Sequence, residues 1–517
     1  MRRTIAIVLG TAAAALASPA CKNNGDSSLR GPPAANTASN QATAPAPSAS
    51  AAAADDANVP IPDAKLASAI EESLARDPLL HSQPIRVSVM KGELTLDGTV
   101  RTLAAKWRAA KFAETFKGIS LVTNRIVVAA SSRPDAEITK EVNDAIQSDP
   151  ATRKTKVGVT ENGGTVTLRG SADSSTQRDL LSEDASRVPG VQEVNLALAL
   201  SHGSTRGNAE LEADIRDRFA DDARLDGTHV YVALHEGDVA VSGLVGSLAQ
   251  RDAATGDAWV EGVAGVDVHA VRVDWRENEQ QRSATARTVP TDPHLAGAVS
   301  RNLSGDVRVG AQVPIVRVEQ GVVTLSGNVM DFRAKNAAAR DARCVSGVWR
   351  VDDRMTVLPA LHESDATIQK QVMGGVYNDA TVHDMPNIEI TTQGARVTLQ
   401  GAVASQEEKK EIENDAEEVP GVVAVEDHLQ VKGYGPNTHP AEPGALRHRA
   451  IESIFWDPRV QAGRVAVAVS PDGDVTLSGV VDSWAEARAA TNDAIVAGAA
   501  HVIDHIRAAA ALASSPP

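Results

Sequence analysis

With 517 residues the chain is long enough for several domains. Its formal net charge of −16 argues against wholesale nucleic-acid binding. Aromatic residues make up only 3%, and the apolar remainder is mostly Ala, Val, Leu and Ile, which suits many small cores better than one large one.

The first 21 residues read as an export signal. Arg2 and Arg3 precede an apolar run from Ile5 to Ala17, and Ser18, Pro19, Ala20 and Cys21 follow. A charged start, a short apolar centre and small residues before a cleavage point describe a secretory signal, not a membrane span. A cysteine there resembles the bacterial lipoprotein site, whose thiol carries lipid and becomes the mature N-terminus. Ser18 stands where such sites usually have Leu, so ordinary cleavage beside an incidental cysteine is the other reading. Residues 22–58, rich in Ala, Pro, Ser, Asn and Thr, cannot bury a core and read as a tether. No later run is apolar enough for long enough to cross a bilayer.

One skeleton then returns six times. Its first helix carries an apolar stripe at i, i+4 and i+8, as in Leu66, Ile70 and Leu74 or Leu211, Ile215 and Phe219. Three residues beyond each stripe stands an Asp: Asp77, Asp149, Asp222, Asp306, Asp379 and Asp457. A Gly hairpin joins two alternating strands, such as Ile85–Val89 and Glu93–Asp97. The second strand ends at Gly98, Gly170, Gly243, Gly327, Gly401 or Gly479, where a bulge or the close approach of a packed helix is expected. A second helix, with Ala109, Ala113 and Phe116 inward in the first copy, stops at Gly118, Gly190, Gly262, Gly347, Gly421 or Gly498. The intervals between the two glycines are 20, 20, 19, 20, 20 and 19 residues. A third strand follows.

This pattern predicts an α+β protein of six tandem α-β-β-α-β domains, each a three-stranded mixed sheet with two helices on one face. The boundaries fall at 59–130, 131–202, 206–275, 288–359, 362–432 and 443–512, after a signal at 1–21 and a linker at 22–58. The polar or Pro-rich joins at 276–292 and 433–444 read as hinges.

Catalytic signatures are missing: there is no His-Glu-x-x-His, Gly-x-Ser-x-Gly, phosphate-cradling Gly-Lys-Ser/Thr or Cys-x-x-Cys. The repeated Asp needs no role beyond ending a helix. His501 and His505, four apart, fall on a strand and read as an ordinary polar pair. Cys344 reads as a semi-buried thiol, with an intermolecular disulfide as the alternative. No enzyme activity, cofactor or metal is therefore expected.

The Asp-Pro of three copies, the Val-Thr-Leu-x-Gly strand, the Ala-rich helix and Gly-Val-x-x-Val together resemble the BON domain of bacterial envelope proteins, the osmotically inducible and nodulation-protein type. The likeness covers about 63–510; the third copy departs most, with no Pro after Asp222 and Ala240 in place of Thr. It implies periplasmic or outer-membrane residence, association with phospholipid or envelope proteins, a role in envelope integrity under stress, and no catalysis. Six copies suggest an extended scaffold. Lys22, in place of the Asp of the simplest inner-membrane retention signal, favours an outer-membrane anchor through Cys21.

The first copy is the candidate lipid-facing unit. Residues 63–130 hold ten Lys/Arg against seven Asp/Glu, a net of +3, whereas 363–432 hold five against fourteen, a net of −9. With Ala109 and Ala113 inward, Trp107 and Lys111 should point outward with Arg108 beside them. A Trp flanked by cations suits an anionic phospholipid or partner interface, and the competing readings are packing on a neighbouring copy or the same domain's loop, or an idle surface.

Overall fold

A computed structural model describes residues 61–508, apart from 78–79, 81–82, 131–132, 150, 201–205, 236, 285–289, 311, 359–362, 379–387, 404–405, 432–441, 472 and 500. The signal segment, Cys21, the tether and Asp379 lie outside the described residues.

Each copy folds as helix, hairpin, helix, strand. The first helices are Asp63–Leu74, Asp135–Ser148, Asn208–Asp221, Asp292–Gly305, Asp365–Asn378 and Pro443–Trp456. Their i, i+4, i+8 stripes are buried throughout, from Leu66, Ile70 and Leu74 to Leu446, Ala450 and Ile454. The second helices are Leu103–Ala113, Ser175–Arg187, Leu248–Ala258, Phe332–Arg343, Gln406–Glu418 and Trp484–Val496. Five of them start where a side chain satisfies a free N–H group. Thr102, Ser174, Ser247, Asp331 and Ser483 accept from the amide three residues on. In every copy the hairpin is antiparallel and the last strand lies parallel to the second, giving six mixed sheets. The first copy's last strand is split into Leu121–Asn124 and Val127–Val128, both on the second strand.

The strand-end glycines have a reason different from the expected helix approach. Gly170 has φ +148°, and a Cβ there would overlap the carbonyl oxygen of Lys156, just ahead of the partner strand of its own hairpin. Gly98, Gly243 and Gly479 meet Pro84, His229 and Arg464 in the same way. Gly327 has the positive φ, +116°, but open space around it.

The repeats do not string out as an extended scaffold. Repeats 1 and 2 share one apolar cluster, which also takes in Leu248 of repeat 3 and Trp456 of repeat 6. Repeats 4 and 5 share a second, and repeats 3 and 6 each keep their own. Units this small gain stability by burying surface against one another. The expected hinge at 276–292 is largely a helix, Trp275–Ala284. Its buried Arg282 donates to the carbonyls of Pro458 (3.2 Å) and Arg459 (2.6 Å), so it ties repeat 6 to repeat 3. The join at 433–444 falls mostly outside the described residues.

Candidate interaction surface

The second helix of repeat 1 turns its supposed outer face toward the rest of the chain. Leu103, Ala105, Ala109 and Ala113 are buried, as their spacing requires. Trp107 is half-buried and packs on the cluster shared with repeat 2. Arg108 Nε lies 2.8 Å from both carboxylate oxygens of Asp77. Lys111 Nζ binds Glu114 at 3.0 Å and also the carboxylate of Asp252, on the second helix of repeat 3. The outward presentation read from helix periodicity is thus not what the fold provides. Periodicity identifies the face away from a domain's own sheet, and here other repeats cover that face.

The electrostatics match an internal junction. Burial pushes Glu114 up to about 7, with Asp252 adding to the rise and Lys111 opposing it. Burial lowers Lys111, yet Asp252 and Glu114 together hold the ammonium above its ordinary value. Five of the ten basic residues counted in this repeat (65, 76, 108, 111 and 117) are engaged within the chain, three of them (65, 111 and 117) with other repeats. Half of its cations are thus engaged inside the molecule.

Lys117 is the most deeply placed of these. It is 3% exposed, its amide donates to Trp456 O at 3.0 Å, and its Nζ donates to Val460 O at 3.2 Å. The ammonium also lies over the rings of Trp275 and Phe455. Burial lowers its pKa, with Glu279 and Asp457 opposing. Repeat 1 is thereby docked on repeat 6. A cavity of about 90 Å³ lies where repeats 1, 3 and 6 meet, lined by Arg76, Phe112, Phe116, Gln250, Trp456 and Arg459 among others.

The helix-ending Asp residues do more than stop a helix. Asp149, Asp222, Asp306 and Asp457 each accept from the backbone N–H two residues on, at 2.7–2.8 Å. In repeats 3, 4 and 6 that second residue is an arginine, Arg224, Arg308 or Arg459, whose guanidinium pairs with the same carboxylate. A second acid on the following helix, Asp257, Asp341 or Asp493, faces the pair; burial and the first carboxylate raise it well above the usual range. Against burial, Arg308 holds Asp306 down at about 2. Repeat 2 uses Asp184, which burial and Asp149 push up to about 7. Repeat 1 has Phe112 at that place, and Arg108 serves Asp77 from one turn earlier. Reading the Asp as a terminator missed these carboxylate pairs. The available signal was Asp-x-Arg together with an Asp five or six residues before the second helix Gly.

His501, just ahead of the last strand, pairs with Asp474 at 3.0 Å, and His505 is exposed. Among the described residues no group of three or more His, Cys, Asp or Glu is placed to hold a metal. No helix among them is long and apolar enough to cross a membrane. Cys344 caps the second helix of repeat 4, and its carbonyl accepts from the amide of Ala223 in repeat 3 at 2.7 Å.

None of the curated proteins compared matches the chain. Two solved structures of CdsD, a structural protein of the type III secretion system of Chlamydia trachomatis, are similar to parts of it. The first, at 13% identity and TM-score 0.12, covers 43% of this chain and 99% of its own. The second, the CdsD C-terminal domain, at 14% and 0.12, covers 41% and 100%. Scores this low carry no argument about this chain. The BON domain family matches six segments, residues 62–130, 134–200, 207–274, 291–359, 364–433 and 445–510. These segments coincide with the six helix–hairpin–helix–strand units and cover most of the sequence, so the chain belongs to the BON domain family.

Proposed function

We propose that this tandem BON protein is a non-enzymatic component of the bacterial envelope, held at its N-terminus by lipid on Cys21, and that its six domains act as one binding body for envelope proteins. The observation that carries this reading is the fate of Trp107, Arg108 and Lys111. All three are engaged within the chain, which leaves repeat 1 without the cationic aromatic face a phospholipid contact would use. The acidic balance of the whole chain favours the same conclusion, because a net −16 is repelled by an anionic bilayer. Support for envelope integrity under stress would follow from such a partner-binding role. Direct phospholipid binding by the domains is the second reading, favoured by the +3 balance of repeat 1.

Co-sedimentation of residues 22–517 with phosphatidylglycerol vesicles separates the two. The protein without lipid on Cys21 should remain in the supernatant. Pelleting that is lost in Trp107→Ala with Lys111→Glu would establish the second reading instead. The anchor is tested by fractionating cells that carry Cys21→Ser, in which the protein should leave the membrane fraction. Intact mass of the membrane-extracted protein reports whether the Cys21 thiol carries lipid.

A further inference from the structure

The contacts between repeats occur in matched pairs. The amide of Lys117, one residue before the helix-ending Gly118 of repeat 1, donates to the carbonyl of Trp456. The amide of Ser346, one residue before Gly347 of repeat 4, donates to the carbonyl of Asp221 at 2.6 Å. Trp456 and Asp221 each stand one residue before the loop Asp, in repeats 6 and 3. Lys65 lies 6.0 Å over the Trp456 ring, and His294, at the matching place on the first helix of repeat 4, lies 2.7 Å from Asp221. The junction of repeats 6 and 1 is therefore a copy of the junction of repeats 3 and 4.

Other features repeat with the same period of three. Repeats 1 and 2 merge their apolar clusters, as do 4 and 5, while 3 and 6 keep their own. The second helices of repeats 3 and 6 share Ala-Ala-Thr-x-Asp-Ala, at 253–258 and 489–494. The intervals between strand Gly and helix Gly run 20, 20, 19 and again 20, 20, 19. Pro189 and Pro420 occupy the position of Lys117 and Ser346 in repeats 2 and 5 only. Arg187 and Glu418, each three residues before the helix Gly of its repeat, meet one another at 3.6 Å. A contact between equivalent positions is what a two-fold axis produces.

We propose that the chain is two copies of a three-repeat unit, ending and beginning around 285–289, docked face to face about an internal two-fold axis, so that each half presents a surface whose partner is the other half. The two junctions are not identical, and the difference sets the pairing. Asp221 meets His294 and Arg301 of the other half. In a pairing of two N-terminal halves it would instead meet Lys65 and Glu72, which stand at the same helix positions. Loss of Arg301 and approach to Glu72 disfavour that pairing.

The test uses the whole chain with a protease site placed within 285–289. After cleavage, sedimentation velocity at micromolar concentration should show one species with the mass of the uncut protein. Two half-mass species, or aggregation with loss of far-UV circular dichroism, would overturn the proposal. In the cleaved protein Ser346→Pro deletes one docking donor, Lys117→Pro deletes the matching amide together with the Nζ contact to Val460 O, and Pro189 and Pro420 indicate that the turn accepts the ring. Ser346→Pro should weaken the pairing of the halves about 10-fold, Lys117→Pro by more than that, and both together more than about 100-fold. Glu261→Pro, at the matching position of repeat 3, should leave it unchanged. Weakening by only one of the two docking variants, or equally by Glu261→Pro, would refute the two-fold relation.

Discussion

Asp184 offers a direct test of the buried carboxylates. It is 7% exposed, on the second helix of repeat 2, with Asp149, Thr152, Arg187 and Arg333 as its polar neighbours. Thr152 Oγ1 lies 3.0 Å from Ile146 O and 2.9 Å from Asp184 Oδ2, and one hydroxyl proton cannot serve both acceptors. If Thr152 donates to Ile146, a protonated Asp184 supplies the second hydrogen bond, in keeping with its rise from 3.8 to about 7. A carboxyl raised on folding binds more protons in the native state. Its contribution is complete below the unfolded value and is lost as pH climbs through the folded one. The rise corresponds to about 4 kcal/mol, of which roughly a third is already lost at pH 5 and nearly all at pH 8. Asp184→Asn keeps a neutral group that can donate to Thr152. Relative to the native chain it should therefore gain about 3 kcal/mol between pH 5 and pH 8. Urea unfolding followed by far-UV circular dichroism at the two pH values measures this. An equal stability difference at pH 5 and pH 8 would refute the assignment of the proton.

A depressed carboxylate in repeat 4 sets the opposite limb. Asp306, held at about 2 by Arg308, contributes stability that is present above 3.8 and lost as pH falls toward 2, so Asp306→Asn should flatten the acid limb of a thermal-denaturation profile. Gly170→Ala should destabilise by about 3 kcal/mol or more, because strained φ and overlap with the Lys156 carbonyl combine. Gly327→Ala meets open space and should cost only the backbone strain, about 1–2 kcal/mol, and chemical denaturation of the two variants gives the comparison.

The repeated unit was legible because its signals are local. A helix stripe such as Ile138, Val142 and Ile146, an alternating strand such as Val166 to Leu168, and a glycine at a fixed place each depend on residues a few positions apart. The same physics recurs in every copy, so six weak signals in one order amount to a strong one. At Gly98, Gly170, Gly243 and Gly479 the crowding comes from the hairpin's own backbone and not from a helix, because an approach such as that of Lys156 O to Gly170 requires two strands in register. What Trp107, Lys111 and Lys117 touch was not legible. Periodicity states which face of a helix leaves its own sheet, and it is silent about what arrives on that face from 141 or 343 residues away. Asp252, Trp456 and Val460 reach repeat 1 only through the packing of whole domains. The protonation of Asp184 and its counterparts in repeats 3, 4 and 6 is settled at that level too. A carboxylate takes its charge state from the dielectric and the neighbours that the assembled fold places around it, and no linear spacing encodes either.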